Sequence, residues 1–423
     1  MKKIYAFSIS ILFPFFILII YLRKIIGKED PLRFKEKFNL DYLDKIDQYK
    51  KKIIWFHAAS IGEVLSIFPI LTKLNSERED LQFLITTITK SSADLIERKK
   101  SIFKNITHKY FPIDKKNIVK KFLDFWSPKV AIFIDSEIWP NFLFEIKKRE
   151  IPLVLLNARI TNKTKKRWKI FSGFSKNLFQ LFDLCIPSST ISKNNLIELG
   201  AKNIDYVGNL KFAFDQENIL LDKKNIIILN KYLVWCAASL HRGEEIFCIK
   251  THMAIRKIKK NCLTIIIPRH ISNVNFFKKA CEKFSLKIQV FNEGDIIKDG
   301  LDILIINSFG VSAKYYNYCD SVFVGKSLLF NLRDVGGQNP IEPAKLGCKI
   351  YHGKYVFNFQ EIYEYLSEKK ISSIVRDPND LKDKILQDFQ DREINGKGQI
   401  NNELKDHGKN ILTKTISKIE KFF

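Results

Sequence analysis

The stretch Ile53-Ile54-Trp55-Phe56-His57-Ala58-Ala59-Ser60-Ile61-Gly62-Glu63 decides the fold. Its first four residues form an unbroken apolar run that with His57 reaches strand length, the pattern of a strand buried on both faces. Ser60 followed by Glu63 is a helix-start signature, and a helical periodicity runs from Val64 to Leu74. Strand, short turn and helix in that order open a βαβ unit. Working outward, Gln82–Thr86, Val130–Ile134 and Leu153–Leu156 repeat the strand pattern in the first half. Tyr232–Cys236, Leu263–Ile267, Leu286–Val290, Ile303–Ile306, Ser321–Val324 and Lys349–His352 repeat it in the second, with helical patterns such as Asn273–Phe284 between them. Apolar runs alternating with amphipathic stretches predict an α/β chain of two doubly wound, Rossmann-like domains facing a cleft. Ligands are then expected beyond the carboxyl ends of the strands. The polar segment Asp215–Asn225 reads as the linker, which gives an anchor at 1–28, a first domain at 29–214 and a second at 215–423. The lysine-rich tail from Asp377 is helical in pattern and carries no interpretable motif.

Composition bounds the function. With 423 residues, 46% hydrophobic and 28% charged, the chain is an ordinary globular protein of two or three domains. Wholesale disorder, a collagen-like fibre and a disulfide miniprotein are excluded. Lys plus Arg number 71 against 46 acids, a net charge of +25. Such a field suits polyanions such as nucleic acid, anionic lipid or phosphorylated substrates. Pairs such as Lys115-Lys116 and Lys120-Lys121 read equally well as solvated helix faces. The seven cysteines are odd in number, scattered and without CxxC spacing. They are expected to be reduced core thiols, with no zinc site. Residues 4–22 carry no charge and, as a helix, reach about 28 Å, enough for a bilayer core. Lys2 and Lys3 precede the stretch; Arg23, Lys24 and Lys28 follow it. No small-residue cleavage site appears, so a retained anchor with a cytosolic body is expected. A buried or interfacial hydrophobic helix is the alternative.

Five segments fall just after predicted strands or carry chemistry of their own. Gly62 would let a ligand approach the backbone at a helix start, and Glu63 places a carboxylate where it could take a proton from a hydroxyl. A capping box formed by Ser60 and Glu63 is the competing reading. Asp135-Ser136-Glu137-Ile138-Trp139-Pro140-Asn141 suggests a rigid turn carrying acids, or plain helix-start chemistry. Lys211, after Gly208-Asn209-Leu210, could neutralise phosphate or carboxylate, or sit in a surface turn. Pro268-Arg269-His270 puts a guanidinium at a strand end, suited to bidentate phosphate recognition, unless it is only a polar loop. Five of the 17 glycines lie between 325 and 353. That clustering indicates backbone held close to something, and Gly336-Gly337-Gln338-Asn339-Pro340-Ile341-Glu342 would open a helix able to hold phosphate, with Glu342 accepting from ribose hydroxyls. Neither a Walker lysine motif nor GxGxxG occurs, so ATPase and dinucleotide readings lack their signatures.

In register, these segments resemble the Kdo transferases, which add 3-deoxy-D-manno-octulosonic acid (Kdo) to lipid A precursors. The resemblance includes Trp55-Phe56-His57, Ser60-Ile61-Gly62-Glu63, Ser136 to Asn141, Leu156-Asn157-Ala158-Arg159, Gly208 to Lys211, Ser239-Leu240-His241-Arg242-Gly243-Glu244-Glu245, Ile267 to His270, Gly336 to Glu342 and Asn358-Phe359. It implies a two-domain glycosyltransferase fold of the B type. It also implies transfer of Kdo from CMP-Kdo to the lipid A disaccharide bisphosphate precursor, lipid IV(A), without a bound metal or cofactor. Glu63 matches the general base, and Glu137 and Lys211 match positions that stabilise the transition state. Pro268, Arg269, Phe309, Gly310, Val311, Asn339, Pro340, Ile341 and Glu342 match the CMP-binding positions. Expected partners are CMP-Kdo, the lipid A precursor and anionic membrane lipid, with no nucleic acid. The expected location is the inner membrane, with one N-terminal anchor and the catalytic domains on the cytoplasmic face.

The chain departs from the family pattern at Leu240, at Val311 where a Glu is usual, at Lys354 and Tyr355 after Gly353, and at Lys326 and Asp334. Two other readings of the sequence are a B-type glycosyltransferase using another nucleotide sugar, and an anchored polyanion-binding protein without enzymatic activity.

Overall fold

The computed structural model describes residues 1–41, 51–103, 105–214, 220–308, 310–395 and 400–423. The chain forms two compact units, one of residues 1–214 with 407–423 and one of residues 215–406. Residues 407–423 thus leave the predicted 215–423 domain and join the first unit. Of the predicted linker, residues 215–219 lie outside the described residues, and a helix has begun by Lys223.

The first unit opens with helix α1 (Lys2–Ile25). Its sheet then winds through β1 (Lys52–His57), α2 (Ile61–Glu77), β2 (Leu81–Thr87), α3 (Lys90–Lys99), β3 (Ile106–Tyr110), α4 (Lys116–Trp126), β4 (Val130–Ile134), α5 (Pro140–Lys148), β5 (Leu153–Ala158), α6 (Asn162–Lys169), α7 (Ser172–Phe179), β6 (Leu184–Pro187) and α8 (Thr190–Leu199). The six strands are parallel in the order β3-β2-β1-β4-β5-β6. This is the doubly wound order whose reversal lies between β1 and β4. β1 is central because Ile54, Trp55 and Phe56 are fully buried. The Trp55 ring lies 5.1 Å from Phe122, 5.2 Å from Phe133 and 5.6 Å from Phe142, and its indole N–H donates to Thr86 Oγ1 at 2.9 Å. Removing that ring would cost about 3–5 kcal/mol.

The second unit winds through α9 (Lys223–Leu229), β7 (Leu233–Leu240), α10 (Glu245–Ile258), β8 (Cys262–Pro268), α11 (Val274–Glu282), β9 (Ile288–Phe291), β10 (Ile303–Ile306), α12 (Ser312–Tyr316), β11 (Ser321–Val324), α13 (Ile341–Lys345), β12 (Lys349–His352), α14 (Gln360–Glu368), β13 (Ser372–Ile374) and α15 (Pro378–Asn395). Its seven strands are parallel in the order β13-β12-β11-β7-β8-β10-β9. Asp388 on α15 fastens that helix to the sheet, accepting from Ser321 Oγ at 2.6 Å and Tyr351 Oη at 2.7 Å. The last helix, α16 (Ile400–Ile419), carries Gly408. A Cβ there would stand 2.1 Å from the Phe212 carbonyl oxygen, so only glycine lets the tail pack on residues 208–213. All seven cysteines are buried and none forms a disulfide.

The predicted strands Val130–Ile134, Ile303–Ile306, Ser321–Val324 and Lys349–His352 have the observed bounds, and the other predicted strands overlap observed ones. Three strands escaped the sequence reading. β3, Ile-Thr-His-Lys-Tyr, is an alternating edge strand; β6 is short and ends in proline; β13 has three residues. Edge strands are exposed on one side and lose the continuous apolar run that marks a central strand.

Candidate functional site

In the first unit the chemistry gathers beyond the carboxyl ends of β1, β4 and β5. β1 leads through Ala58 and Ala59 to Ser60, and Glu63 sits in the first turn of α2. The reciprocal capping box does not form, since Ser60 accepts no side-chain cap hydrogen bond. Instead its hydroxyl donates to Glu63 Oε1 at 2.7 Å, and the Ala59 N–H donates to Glu63 Oε2 at 2.8 Å. Both oxygens of the carboxylate are therefore oriented. Burial nevertheless pushes the Glu63 carboxyl up to about 7, and the Asp135 and Glu137 carboxylates add to the rise against the two hydrogen bonds. A Cβ at Gly62 would meet open space, so glycine there is not demanded by the protein's own packing.

The β4 turn carries the second acid group. Asp135 adopts a left-handed φ of +60°, an unusual conformation for a side-chain-bearing residue and common at functional sites. Burial raises its carboxyl, opposed by Lys211 and Arg159. Glu137 Oε2 accepts from the Trp139 indole at 2.8 Å and lies 3.3 Å from His57 Nε2. Burial would raise Glu137, but the hydrogen bond and charge of His57, with the Trp139 bond, hold it below the usual value. His57 is wholly buried, stacked on Phe111 at 3.7 Å, with Nδ1 3.2 Å from the Thr86 carbonyl. Trp139-Pro140-Asn141 also starts a helix, as the competing reading held. Asp114 caps it, accepting from the backbone N–H of Asn141 at 3.0 Å and of Phe142 at 2.9 Å.

Lys211 enters from a short turn, Leu210–Ala213. Asn157, at a left-handed φ of +50° in the β5 bulge, accepts the Leu210 N–H at 3.0 Å. Asn209 accepts the Lys211 N–H at 3.0 Å. Burial holds the Lys211 ammonium below the usual lysine value; Asp135 and Glu63 pull it up and Arg159 pushes it down. Glu63, Glu137 and Lys211, far apart in sequence, thus share one electrostatic neighbourhood. Asp135, expected from the sequence as one acid of a rigid turn, and Arg159 belong to it too.

In the second unit the same strand ends carry cations. Arg269 follows β8, its backbone N–H bonded to the Leu240 carbonyl at 3.1 Å, and among the described residues no carboxylate pairs with its guanidinium. The His241 and His270 rings lie 5.9 Å apart. Burial lowers the His241 imidazole; Lys326, His270 and Arg269 push the same way against Glu244. Glu244 is the organiser that the sequence did not single out. Fully buried, it accepts backbone N–H groups from His241 at 3.0 Å, Lys326 at 2.6 Å, Ser327 at 2.8 Å and Leu328 at 3.0 Å. Ser239 and Lys326, at φ +55° and +60°, repeat the left-handed strand ends of the first unit.

The glycine cluster takes a different meaning here. A Cβ at Gly336 would lie 2.3 Å from the Tyr355 carbonyl oxygen, and one at Gly353 would lie 2.3 Å from that of Ser327. These glycines let the protein's own loops pass one another, which is a packing cause and not a ligand. The expected phosphate-holding helix after Gly337 is α13, only five residues long, and its Ile341 N–H is taken by Asn339 Oδ1 at 3.1 Å. One turn carries little macrodipole, so the phosphate-cradle argument fails there. Asn339, Pro340, Ile341 and Glu342 remain together at the start of α13, and the Glu342 charge reaches Tyr316 on α12. Phe309 lies outside the described residues. Gly310 is exposed at φ +75°, and Val311 precedes α12 and borders a recess of about 290 Å³ with Ser308, Phe291 and Tyr315. Pro268 is half-buried at the end of β8. Among the described residues, no group of three or more His, Cys, Asp or Glu is placed to hold a metal ion.

The family described as "3-Deoxy-D-manno-octulosonic-acid transferase (kdotransferase)" matches residues 32–214. A 3-deoxy-D-manno-octulosonic acid transferase of Rickettsia bellii is 28% identical over 430 residues, covering 100% of both chains. One of Haemophilus influenzae is 28% identical over 321 residues, covering 74% of each. Among solved structures, a UDP-GlcNAc 2-epimerase from Neisseria meningitidis bound to UDP-GlcNAc superposes at a TM-score of 0.60 with 11% identity. It covers 87% of this chain and 100% of that one, a likeness of fold alone. With a relative matched along its whole length and the resembling segments in order at the strand ends of both units, the chain is similar to the 3-deoxy-D-manno-octulosonic acid transferases.

Proposed function

We propose that this chain transfers Kdo from CMP-Kdo to the lipid A disaccharide bisphosphate precursor, lipid IV(A), with inversion at the transferred carbon and without a bound metal or cofactor. The observation that carries the reading is Glu63: a carboxylate gripped through both oxygens and poised at about 7. A general base works best when its pKa lies near the working pH. Ionised Glu63 takes the proton of the acceptor hydroxyl as that oxygen attacks the sugar. Lys211 and the Glu137–His57 pair supply charges set before the reaction, which stabilise a transition state without reorganisation.

The donor loses a phosphate-bearing nucleotide. Arg269, with Lys326 near His241 as well, supplies the cationic surroundings that a departing phosphate requires. Asn339 to Glu342 and the Gly310–Val311 segment are the further nucleotide contacts. Val311 offers no carboxylate, so affinity there rests on its neighbours. The apolar N-terminal helix fits a membrane anchor, as a lipid acceptor requires, and we place the protein at the inner membrane with its two units in the cytoplasm.

The test is incubation of the purified chain with CMP-Kdo and tetraacylated lipid A precursor, with product read by mass. One or more added Kdo masses are expected, lost in Glu63→Gln while CMP binding persists. Product from a UDP- or GDP-sugar, with none from CMP-Kdo, would overturn the sugar assignment.

A further inference from the structure

Helix α1 is long and apolar enough to cross a bilayer, yet its contacts run along its whole length. Its half-buried or buried positions include Tyr5, Ile9, Phe13, Phe16, Ile20 and Lys24. Steps of three and four residues mark a helix laid on a surface by one face. At the start, Tyr5 Oη donates to Asp114 Oδ2 at 2.9 Å, and its ring lies 6.4 Å from Phe174. In the middle, the Lys115 ammonium sits 3.8 Å over the Phe13 ring. At the end, the Tyr21 ring meets Phe34 at 5.2 Å, and Arg23 Nε donates to Glu29 Oε1 at 2.6 Å. From Tyr5 to Tyr21 the helix advances about 24 Å, most of the thickness of a hydrocarbon core. A helix crossing the bilayer has lipid or other spanning helices around its middle, whereas this one has Lys115, the residue just before α4.

The opposite face is apolar and uncovered. Phe7 is 67% exposed, Leu18 53% and Ile25 80%, with Ile4, Ile11 and Phe15 on the same side. The hydroxyls of Ser8 and Ser10 donate to the Ile4 and Ala6 carbonyls, so they present no unsatisfied polar group to lipid. Beside the helix start, α6 and α7 meet at Ile170 and Phe171, exposed by 73% and 53% and close in sequence to the Phe174 that packs on Tyr5. Residues 1–28 and 159–172 contain no acid, while Lys3, Lys28, Lys163 and Lys166 stand exposed within them. Glu198 pairs with Lys165 and Lys169, and Glu29 with Arg23, which leaves Lys3, Lys28, Lys163 and Lys166 as the cations along an apolar strip, complementary to an anionic leaflet.

We infer that α1 anchors the first unit from one side: it stays docked on α5 and α7, and its Phe7–Leu18 face, together with Ile170 and Phe171, enters a single anionic leaflet. This pose holds whichever sugar is transferred. It would keep the unit carrying Glu63 fixed at the level of lipid headgroups, since Asp114, which holds Tyr5, also caps the helix that follows Glu137.

The full chain bound to vesicles of phosphatidylethanolamine and phosphatidylglycerol tests this. Because the native cysteines are buried, a Phe13→Cys/Lys115→Cys pair can be joined by a short bis-methanethiosulfonate reagent. Efficient joining on the vesicles is expected; a pair that joins in detergent and not on vesicles would show that α1 leaves the domain to cross the bilayer, and would overturn the inference. In parallel, Phe7→Glu/Leu18→Glu should partition into the vesicles at least about tenfold more weakly with an unchanged thermal midpoint. Undiminished partition, or a wild-type dimer that this variant breaks, would instead give the face to some other contact or to a second copy.

Discussion

The two units share one architecture and use their strand ends in opposite ways. In each, an all-parallel sheet ends in side-chain-bearing residues at left-handed φ: Asp135 and Asn157 in the first unit, Ser239 and Lys326 in the second. Asn157 and Ser239 each sit at a bulge in the ladder. In the first unit this device turns acids and a lysine into a partly desolvated group, where burial is the largest influence on Glu63, Asp135, Glu137 and Lys211. In the second, a buried carboxylate, Glu244, gathers backbone N–H groups while Arg269 and His270 stay accessible. A group that must change its proton is best tuned by burial, and a group that must bind a passing anion is best kept wet and cationic.

The contrast breaks most sharply at Glu63. Glu63→Gln should lower transfer about 1000-fold, or about 4 kcal/mol of barrier, without loss of CMP affinity. The wild-type rate should rise with pH through about 7, because the ionised carboxylate is the active form, and the variant should lack that limb. A pH–rate profile measured for both proteins checks this.

Next in size, Glu244→Ala strands several buried N–H groups and should destabilise the second unit by about 3 kcal/mol, read by denaturant unfolding. Glu63→Ala should not produce that loss in the first unit, since its carboxylate is held against a desolvation cost. Arg269→Ala should weaken CMP-Kdo binding about thirtyfold, close to 2 kcal/mol, and leave thermal stability unchanged, as calorimetry would report.

The smallest effect concerns stability at Glu63. Its carboxyl is raised in the fold, so the native state binds the proton more readily than the unfolded chain. Stability from this group therefore falls as pH rises from about 4.5 to about 7. Glu63→Gln removes that penalty and should gain about 1 kcal/mol at pH 8, a gain that fades toward pH 4.5. Thermal midpoints at the two pH values check the sign.

Local pattern sufficed for the central strands of both sheets. Uninterrupted runs such as Val130–Ile134, set between turn signals, read as strands buried on both faces, and Glu63, Glu137 and Arg269 come soon after strand ends, where open α/β sheets place their ligands. Long-range packing decided the rest. The meaning of Gly336 and Gly353 depends on which carbonyls, nearly twenty or more residues away, press on them. The reversal of Ser60 from cap to donor depends on where the Glu63 carboxylate points. The return of 407–423 to the first unit depends on Gly408 meeting Phe212, and the one-sided docking of α1 on Asp114 and Lys115, about a hundred residues away in the chain. Periodicity records which residues are apolar and how often; contacts between segments distant in the chain leave no period to read.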